Sequence, residues 1–334
     1  MSFISSRISV VLISALLFSS HAISTPYKYF RIGPDDIHTK PSFGVAMMGG
    51  GSDLDEAFRW LCGKGNGGDF LILRAHGDDA YNSYVNGLCK ANSVATLIIP
   101  NRKAAEAAAA ADIIHHAEAL FIAGGDQANY INFWRGTPVQ DAINAHIAAG
   151  KPIGGTSAGL AVLGEFVYGA MKDAPDGPDL ASTDLLPDPF FDRVTLIRGF
   201  LSIPLLKNTL TDSHFAKRDR MGRSLVFLAR IMHDGWSKNP KEVAIDEKSA
   251  VLVEDDGKAA IVGSGKGAYF IRPSRAPETC RKKMALTFTG IAVYNGPTGA
   301  HFDLKSWAGT GGKSYMLSVN DGVIHSTAPD NSIY

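Results

Sequence analysis

Residues 152–163 read Pro-Ile-Gly-Gly-Thr-Ser-Ala-Gly-Leu-Ala-Val-Leu, which joins a short apolar segment to a glycine-rich turn and a second apolar run. The turn fits the pattern G-x-S-x-G, with Ser157 at its centre, between a predicted strand and a predicted helix. Because glycines carry no side chains, the serine hydroxyl on such a turn is open to a substrate. The stretch therefore predicts an α/β fold with a nucleophile, although a strand–helix turn whose serine merely caps the helix has the same pattern.

The segments before this turn alternate between strand and helix patterns. Short, continuous apolar runs separated by helices are typical of a parallel sheet with both faces covered. Ligands bind beyond the carboxyl ends of such strands, where the glycine-rich turns of this chain fall. Ser52 or Asp53 is the expected N-cap of the first helix. The predicted strands are 45–48, 70–73, 94–99, 120–123 and 152–154. The first predicted helix ends at residue 62, and the others cover 82–90, 103–116, 138–149 and 160–163.

The chain changes character after this region. Residues 170–192 are rich in Pro and Asp and predict a long loop, and residues 215–232 predict a helix. After residue 241, short apolar segments alternate with turns and predict a β-rich C-terminal third. We expect these strands to extend the central sheet, so that residues 23–334 form a single domain.

The composition excludes several classes of protein. With 33 basic and 33 acidic residues the chain has no net charge, which removes the main electrostatic argument for binding nucleic acid or an anionic membrane. Its 45% of hydrophobic residues excludes a disordered chain. The sequence has no CxxC, HExxH or His-x-His pattern, so we expect neither a metal nor another cofactor.

Residues 1–22 have the pattern of a secretory signal peptide. Arg7 precedes the apolar run 8–18, and small residues surround a cleavage point after Ala22. Because that run is short for crossing a bilayer, we expect cleavage rather than an uncleaved anchor, and no membrane attachment afterwards. The mature protein is thus expected to be secreted, either outside the cell or into a periplasm.

Export to an oxidising compartment would allow two of the three cysteines to form a disulfide. Cys62 and Cys89 each end a predicted helix and can pair in an oxidising compartment, which leaves Cys280 free. Three buried thiols fit the sequence equally well. The sequence favours neither arrangement.

A serine nucleophile needs a base, and His214 is the candidate with the most polar surroundings. It belongs to residues 211–223, a segment dense in guanidinium groups, in which Lys217, Arg220 and Arg223 are spaced to share one stripe of a helix. Arginine presents a bidentate fork to carboxylates, so this stripe can form an anion-binding pocket beside the base. A solvated basic helix face is the alternative interpretation.

Four motifs of the chain occur together in a known family. The motifs are Gly124-Gly-Asp-Gln127, Gly154-Gly-Thr-Ser-Ala-Gly159, the pattern D-x-H-F-x-x-R-x-R-x-x-R of residues 212–223, and Ile245-Asp-Glu247. Together they resemble the S51 family of serine peptidases, which includes cyanophycinases and aspartyl dipeptidases. The resemblance covers about residues 43–330, and the His–Arg segment is its most specific part.

The resemblance implies a Ser–His–Glu triad, with Ser157 as nucleophile, His214 as base and Glu247 orienting the imidazole. The amide N–H groups of Ala158 and Gly125 are the expected oxyanion donors. The implied substrate is cyanophycin, a poly-aspartate with arginine on its side-chain carboxyls, which is cut to β-aspartyl-arginine dipeptides. The implied substrate-binding residues are Gln127, Asp212, Arg218, Arg220 and Arg223.

The residue patterns and the resemblance together predict the fold class. We expect an α/β, three-layer sandwich with a mostly parallel central sheet, similar to class I glutamine amidotransferases and flavodoxins, and a β-rich extension over about residues 250–334. The expected partner is an aspartyl or arginyl peptide or isopeptide. A homodimer is compatible with the sequence.

Other functions are open at this point. Ser213 stands where the family typically has Gln, so an isoaspartyl or aspartyl peptidase of the same family is the nearest alternative. An α/β-hydrolase esterase shares G-x-S-x-G but orders its triad Ser, acid, His, so it would use Asp246 or Asp256 with His301 or His325. A secreted peptide-binding module on an inactive peptidase fold is the alternative without catalysis.

Overall fold

The computed structural model describes residues 25–174 and 177–334, so the predicted signal peptide, residues 1–22, lies outside the described part of the chain. The strands are β1 (Lys28–Ile32), β2 (Gly44–Met48), β3 (Asp69–Arg74), β4 (Ser93–Ile98), β5 (Ala119–Ile122), β6 (Ile153–Thr156), β7 (Phe166–Tyr168), β8 (Leu196–Arg198), β9 (Thr209–Asp212), β10 (Lys241–Ile245), β11 (Ser249–Glu254), β12 (Lys258–Gly263), β13 (Ala268–Pro273), β14 (Phe288–Gly296), β15 (His301–Asp303), β16 (Ala308–Thr310), β17 (Lys313–Asn320) and β18 (Val323–Ser326). The helices are α1 (Asp55–Lys64), α2 (Ala80–Leu88), α3 (Arg102–Ala105), α4 (Ala108–His116), α5 (Gln127–Trp134), α6 (Pro138–Ala148), α7 (Ala158–Ala161), α8 (Ser182–Leu185) and α9 (Met221–His233). Short 3₁₀ turns lie at Pro204–Leu206 and Pro329–Asn331.

The larger sheet has ten strands in the order β1-β4-β3-β5-β6-β2-β11-β12-β15-β16. Its strands β4, β3, β5, β6 and β2 run parallel to their neighbours in that block. The strands outside the block pair antiparallel. Successive strands of the parallel block are joined through helices, whereas β11 and β12 are joined by a short turn that allows only antiparallel pairing.

A second sheet has eight strands in the order β18-β17-β14-β13-β10-β9-β7-β8. Among its described strands, only β9 runs parallel to its neighbours, β10 and β7. The protein is therefore α/β with a β-rich C-terminal region, but its sheets are mixed. The expected mostly parallel sheet exists only as the five-strand block. The C-terminal strands extend the first sheet only in part, because β13, β14, β17 and β18 belong to the second sheet.

The two sheets share a hydrophobic core. Val45 and Met47 of β2 belong to the same buried cluster as Val243 and Phe270 of the second sheet. The opposite face of β2 packs with helix α1 in a separate cluster, because successive side chains of a strand point to opposite faces. The other face of the second sheet packs with α9. A shared core is what a single domain requires, and the single-domain organisation stays a prediction.

Three helix predictions need correction. The helix expected at 103–116 is divided into α3 and α4, which pack against α5 and α6 respectively. Neither Ser52 nor Asp53 caps α1, because Leu54 holds that position and Asp53 accepts a hydrogen bond from α2 instead. Helix α9 begins only at Met221, so the basic residues before it are not helical.

The structure resolves the alternatives for the cysteines. Cys62 in α1 and Cys89 at the end of α2 form a disulfide, with their Cα atoms 5.9 Å apart. Cys280 is a buried thiol. In residues 25–174 and 177–334, we find no helix with the length and apolar character needed to cross a membrane.

Candidate active site

Ser157 lies in the sharp turn between β6 and α7, at the carboxyl end of the parallel block. Its backbone has φ of 53° and ψ of −116°, a conformation that residues with a side chain rarely adopt. A Cβ on Gly155 would stand 2.5 Å from the carbonyl oxygen of Gly159, and one on Gly159 would stand 2.0 Å from that of Ile122. The motif glycines are therefore needed for the turn that presents the serine hydroxyl.

His214 is in direct contact with Ser157, because its Nε2 lies 2.7 Å from the serine Oγ. It follows β9 of the second sheet, and its amide donates a hydrogen bond of 2.8 Å to the carbonyl oxygen of Gly49. The φ of His214 is 47°, so both residues have left-handed backbone conformations. Two strained turns, one after β6 of the first sheet and one after β9 of the second, bring the hydroxyl and the imidazole together.

Glu247 extends this contact to a line of three side chains. It follows β10, and its Oε1 lies 2.7 Å from Nδ1 of His214. Since β9 and β10 are parallel neighbours, the residues that follow them meet at the same edge of the sheet. The three predicted residues are thus hydrogen-bonded in the order serine, histidine, glutamate, which is the arrangement that triad chemistry needs.

The surroundings of His214 and Glu247 shift the pKa of both side chains. Burial lowers the pKa of His214, and the nearby charges of Arg218 and Arg220 lower it too. The hydrogen bond to Glu247 acts in the opposite direction on His214 without cancelling the shift. The same hydrogen bond lowers the pKa of Glu247. At neutral pH the imidazole is therefore neutral and the glutamate ionised, so Nδ1 donates to the carboxylate and Nε2 is left to accept the serine proton.

The turn after β2 contains two glycines, Gly50 and Gly51, that lie against His214 and Glu247 and were not among the predicted site residues. A Cβ on Gly50 would lie 2.6 Å from Nε2 of His214, and one on Gly51 would lie 3.1 Å from Cβ of Glu247. Both glycines also have positive φ angles, 89° and 80°. The missing side chains therefore make room for the histidine and the glutamate. The signal in the sequence was a run of three glycines directly after a buried strand.

The two residues expected to supply oxyanion donors lie at the cavity that contains Ser157. Gly125 and Ala158 both line that cavity, next to Ser157. In the described part of the chain, neither amide N–H donates to another protein group, and Ala158 is the first residue of α7. Free N–H groups beside a nucleophile can stabilise a developing oxyanion. The geometry is compatible with this role, which stays a prediction for both residues.

The cavity has a volume of about 550 Å³, and Ser157 and His214 contribute to its lining. Of the predicted substrate-binding residues, Gln127 and the three arginines line its wall, whereas Asp212 does not. The remaining wall comes largely from the predicted loop at residues 170–192, which contains the short helix α8. The lining residues from that loop are Ala170, Asp173, Ala174, Gly177, Pro178 and Asp179.

Asp212 lies behind the arginines rather than on the cavity wall, and its expected role as a ligand contact stays a prediction. Its carboxylate receives two hydrogen bonds from Arg223, from Nε at 2.9 Å and from Nη2 at 2.6 Å, and a third from Arg220 at 3.2 Å. The buried carboxylate thus fixes two guanidinium groups. These hydrogen bonds hold Arg220 and Arg223 in place. The expected stripe of basic residues on one helix does not form, because Lys217 and Arg220 precede the start of α9.

Asp179 is a further cavity residue, and it belongs to none of the sequence motifs. Its Oδ2 accepts hydrogen bonds from Arg220 Nη2 at 2.7 Å and from Arg218 Nη1 at 3.1 Å. Burial would raise the pKa of this carboxyl group, but Arg220 and Arg218 outweigh burial and lower the pKa to about 2. The only signal for Asp179 in the sequence was its place in the loop rich in Pro and Asp.

The structure does not support the triad of an α/β-hydrolase. His301 lines a different cavity beside Trp60, and His325 lies in β18 at an edge of the second sheet. The hydroxyl of Ser157 is bonded to His214 instead.

Within the described residues, one set of carboxylates comes close enough to hold a metal ion: Asp36, Asp69 and Glu118. Asp69 already accepts hydrogen bonds from Ser93 and Asn92, and Glu118 accepts one from the amide of Asp69. These bonds account for the cluster as part of the framework around β3. None of these residues lines the cavity of Ser157.

Comparisons with known proteins show which family the chain resembles. The family model of peptidase family S51 matches residues 52–261. A cyanophycinase of Geminocystis herdmanii is 26% identical over 46% of this chain and 49% of its own length. A cyanophycinase of Synechococcus elongatus is 30% identical over 44% of this chain and 39% of its own length. The chain thus spans about half the length, or less, of these curated relatives.

A solved structure of a peptidase from an acI-B1 Actinobacterium is 18% identical, covers 68% of this chain and 90% of that one, and has a TM-score of 0.46. The family match covers more than half of the present sequence and includes Ser157, His214 and Glu247. This chain belongs to peptidase family S51.

Proposed function

We propose that the protein is a secreted serine peptidase that cleaves aspartyl or isoaspartyl bonds through an acyl-enzyme on Ser157. The observation that carries the proposal is the continuous line of hydrogen bonds from Ser157 through His214 to Glu247. Those two contacts, both of 2.7 Å, connect a nucleophile, a base and an orienting carboxylate.

In the proposed reaction, Ser157 Oγ attacks the scissile carbonyl carbon while Nε2 of His214 takes the hydroxyl proton. The amide N–H groups of Gly125 and Ala158 stabilise the oxyanion of the tetrahedral intermediate. His214 then returns its proton to the leaving amine, and the carbon–nitrogen bond breaks to give an ester on Ser157. A water molecule, activated by the same imidazole, hydrolyses this ester and restores the serine.

The proposed substrate class is a peptide or isopeptide with aspartyl carboxylates and arginyl side chains, such as cyanophycin. Its support comes from the guanidinium groups of Arg218 and Arg220 in the cavity, since arginine binds carboxylates in a bidentate manner. The name cyanophycinase, given to relatives that match about half of their length here, points in the same direction. Ser213, with a short side chain next to Arg220, favours a second candidate, an isoaspartyl peptidase of broader specificity.

The proposed site of action is outside the cytoplasm. The signal-peptide pattern of residues 1–22 is the main argument. The disulfide between Cys62 and Cys89 supports it, because such bonds persist in oxidising compartments.

Product analysis tests the proposed function. We expect the purified protein to release β-aspartyl-arginine from insoluble cyanophycin. The Ser157→Ala variant should release it at least about a thousandfold more slowly. Cleavage of isoaspartyl dipeptides without any release from cyanophycin would replace the first candidate by the second. An unchanged rate in the Ser157→Ala variant would contradict the proposed chemistry for both.

A further inference from the structure

Asp179 holds the position in which the cavity's arginines would bind an acidic ligand. Its Oδ2 lies between Arg220 Nη2 and Arg218 Nη1, at 2.7 and 3.1 Å. A carboxylate that bridges two guanidinium groups in this way has the same charge and the same acceptor geometry as an acidic group of a substrate. The two cannot use these donors at once.

The chain on both sides of Asp179 is held by hydrogen bonds to neighbouring segments. Before it, the carbonyl oxygen of Pro178 accepts a hydrogen bond of 2.8 Å from Arg193. After it, the hydroxyl of Ser182 donates one of 2.8 Å to the carbonyl oxygen of Asp219, close to the arginines. Asp179 itself is 44% exposed, so its carboxylate can leave the arginines toward solvent. The segment is therefore placed on the arginines by specific contacts, yet its acidic group is accessible.

The charges explain why the free protein keeps a carboxylate at this place. The side chain of Arg220 is only 8% exposed and belongs to a group of three arginines, so an unbalanced charge there would be costly. Asp212 accepts two hydrogen bonds from Arg223 but only one from Arg220, through Nη1. Asp179 supplies the second carboxylate that this group needs.

We propose that Asp179 is a specificity-determining residue: it occupies the carboxylate-binding position on Arg218 and Arg220, and an acidic ligand must displace it to bind. The inference rests on the proposed function, which assigns that position to the substrate. Exchange of one carboxylate for another keeps Arg220 paired throughout. The apparent affinity for an acidic group is then set by the fraction of molecules in which Asp179 has moved away.

Binding of succinate, a dicarboxylate without an amide bond, tests the inference by calorimetry at low ionic strength, where charge effects are least screened. We expect Asp179→Asn to bind succinate roughly tenfold more tightly than the native protein, since the competing charge is gone. Asp192→Asn is the matched control, because its exposed side chain makes no ion pair with the described residues. Equal or weaker binding by Asp179→Asn would overturn the inference.

Succinate binding requires no hydrolysis, so this result is independent of whether Ser157 is the nucleophile. Hydrogen exchange on the native protein gives a second test if Asp179→Asn does not fold. We expect saturating succinate to increase amide exchange in residues 177–182, because Asp179 loses its contacts when it is displaced. Unchanged or slower exchange in that segment would contradict displacement.

Discussion

Two groups of residues that line the cavity, called here its reactive end (Ser157 and His214) and its other end (Arg218 and Arg220), are held in place by different means. At the reactive end, Ser157 and His214 are fixed by strained backbone turns, and Gly50 leaves space for the imidazole. At the other end, Arg218 and Arg220 are fixed by ion pairs with acidic side chains, one of which belongs to a loop.

The difference shows which changes each end tolerates. An added methyl group at the reactive end would meet atoms at less than contact distance, and the surrounding structure holds these strained turns in place. Charges held by side chains can be exchanged for other charges of the same sign. We therefore expect small steric changes at the reactive end to reduce kcat strongly, and charge changes at the other end to adjust affinity and pH dependence.

The largest effect is expected at Glu247. Glu247→Gln keeps the size of the side chain but removes the charge that stabilises the imidazolium and selects its tautomer. We expect kcat to fall by about 10²–10⁴ with KM nearly unchanged. Glu56→Gln, an exposed residue in α1, is the control. A kcat for Glu247→Gln within tenfold of the native value would show that the line of hydrogen bonds is not a working triad.

Gly50 tests the role of the backbone at the reactive end. A Cβ at this position would meet Nε2 of His214 at 2.6 Å, so Gly50→Ala should displace the base and reduce kcat by about 100-fold. Gly150→Ala is a close control, because its φ of 72° carries the same backbone strain with no atom within 4 Å of the added Cβ. Steady-state kinetics on both variants separates the two causes. Equal losses would mean that strain, and not contact with the imidazole, is responsible.

The smallest effect concerns the connection between the two ends. The positive charge of Arg218 is one of the causes, after burial, that keep the pKa of His214 below its ordinary value. A neutral imidazole is needed for catalysis, so the acid limb of kcat should lie below pH 6.5 in the native protein. Arg218→Gln should raise the pKa of His214 and move that limb upward, because a positive charge near the imidazole is removed.

The pH dependence of kcat from pH 4.5 to 8 measures this movement. Arg281→Gln removes a positive charge from an exposed position outside the cavity and should leave the limb unchanged. A limb that moves downward, or equally in both variants, would contradict an electrostatic connection between Arg218 and His214.

The reactive end was largely predictable from local patterns. The strands β2 to β6 and the turn around Ser157 follow from continuous apolar runs and glycines, which depend on nearby residues only. His214 was a candidate base from its polar surroundings, but its place in a triad with Glu247 came from the family resemblance, because contact between turns leaves no periodic signal.

The other end was predicted less well. The segment before α9 was expected to be helical, yet it folds as turns in which Lys217 donates its amide to Asp246 and Asp219 has a positive φ of 49°. The partition of the C-terminal strands into two sheets depends on distant partners, which alternation of apolar residues does not specify. Asp179 was missed for the same reason, since its ion pairs join residues about forty positions apart.

Labelling with a fluorophosphonate tests the central claim most directly, because this probe forms a covalent bond with an activated serine and needs no assumption about the substrate. We predict a single adduct on Ser157 in the folded native protein, mapped by peptide mass spectrometry, and its strong reduction in His214→Ala. A folded native protein that stays unlabelled, or that carries the adduct on another serine, would contradict the assignment of Ser157 as the nucleophile.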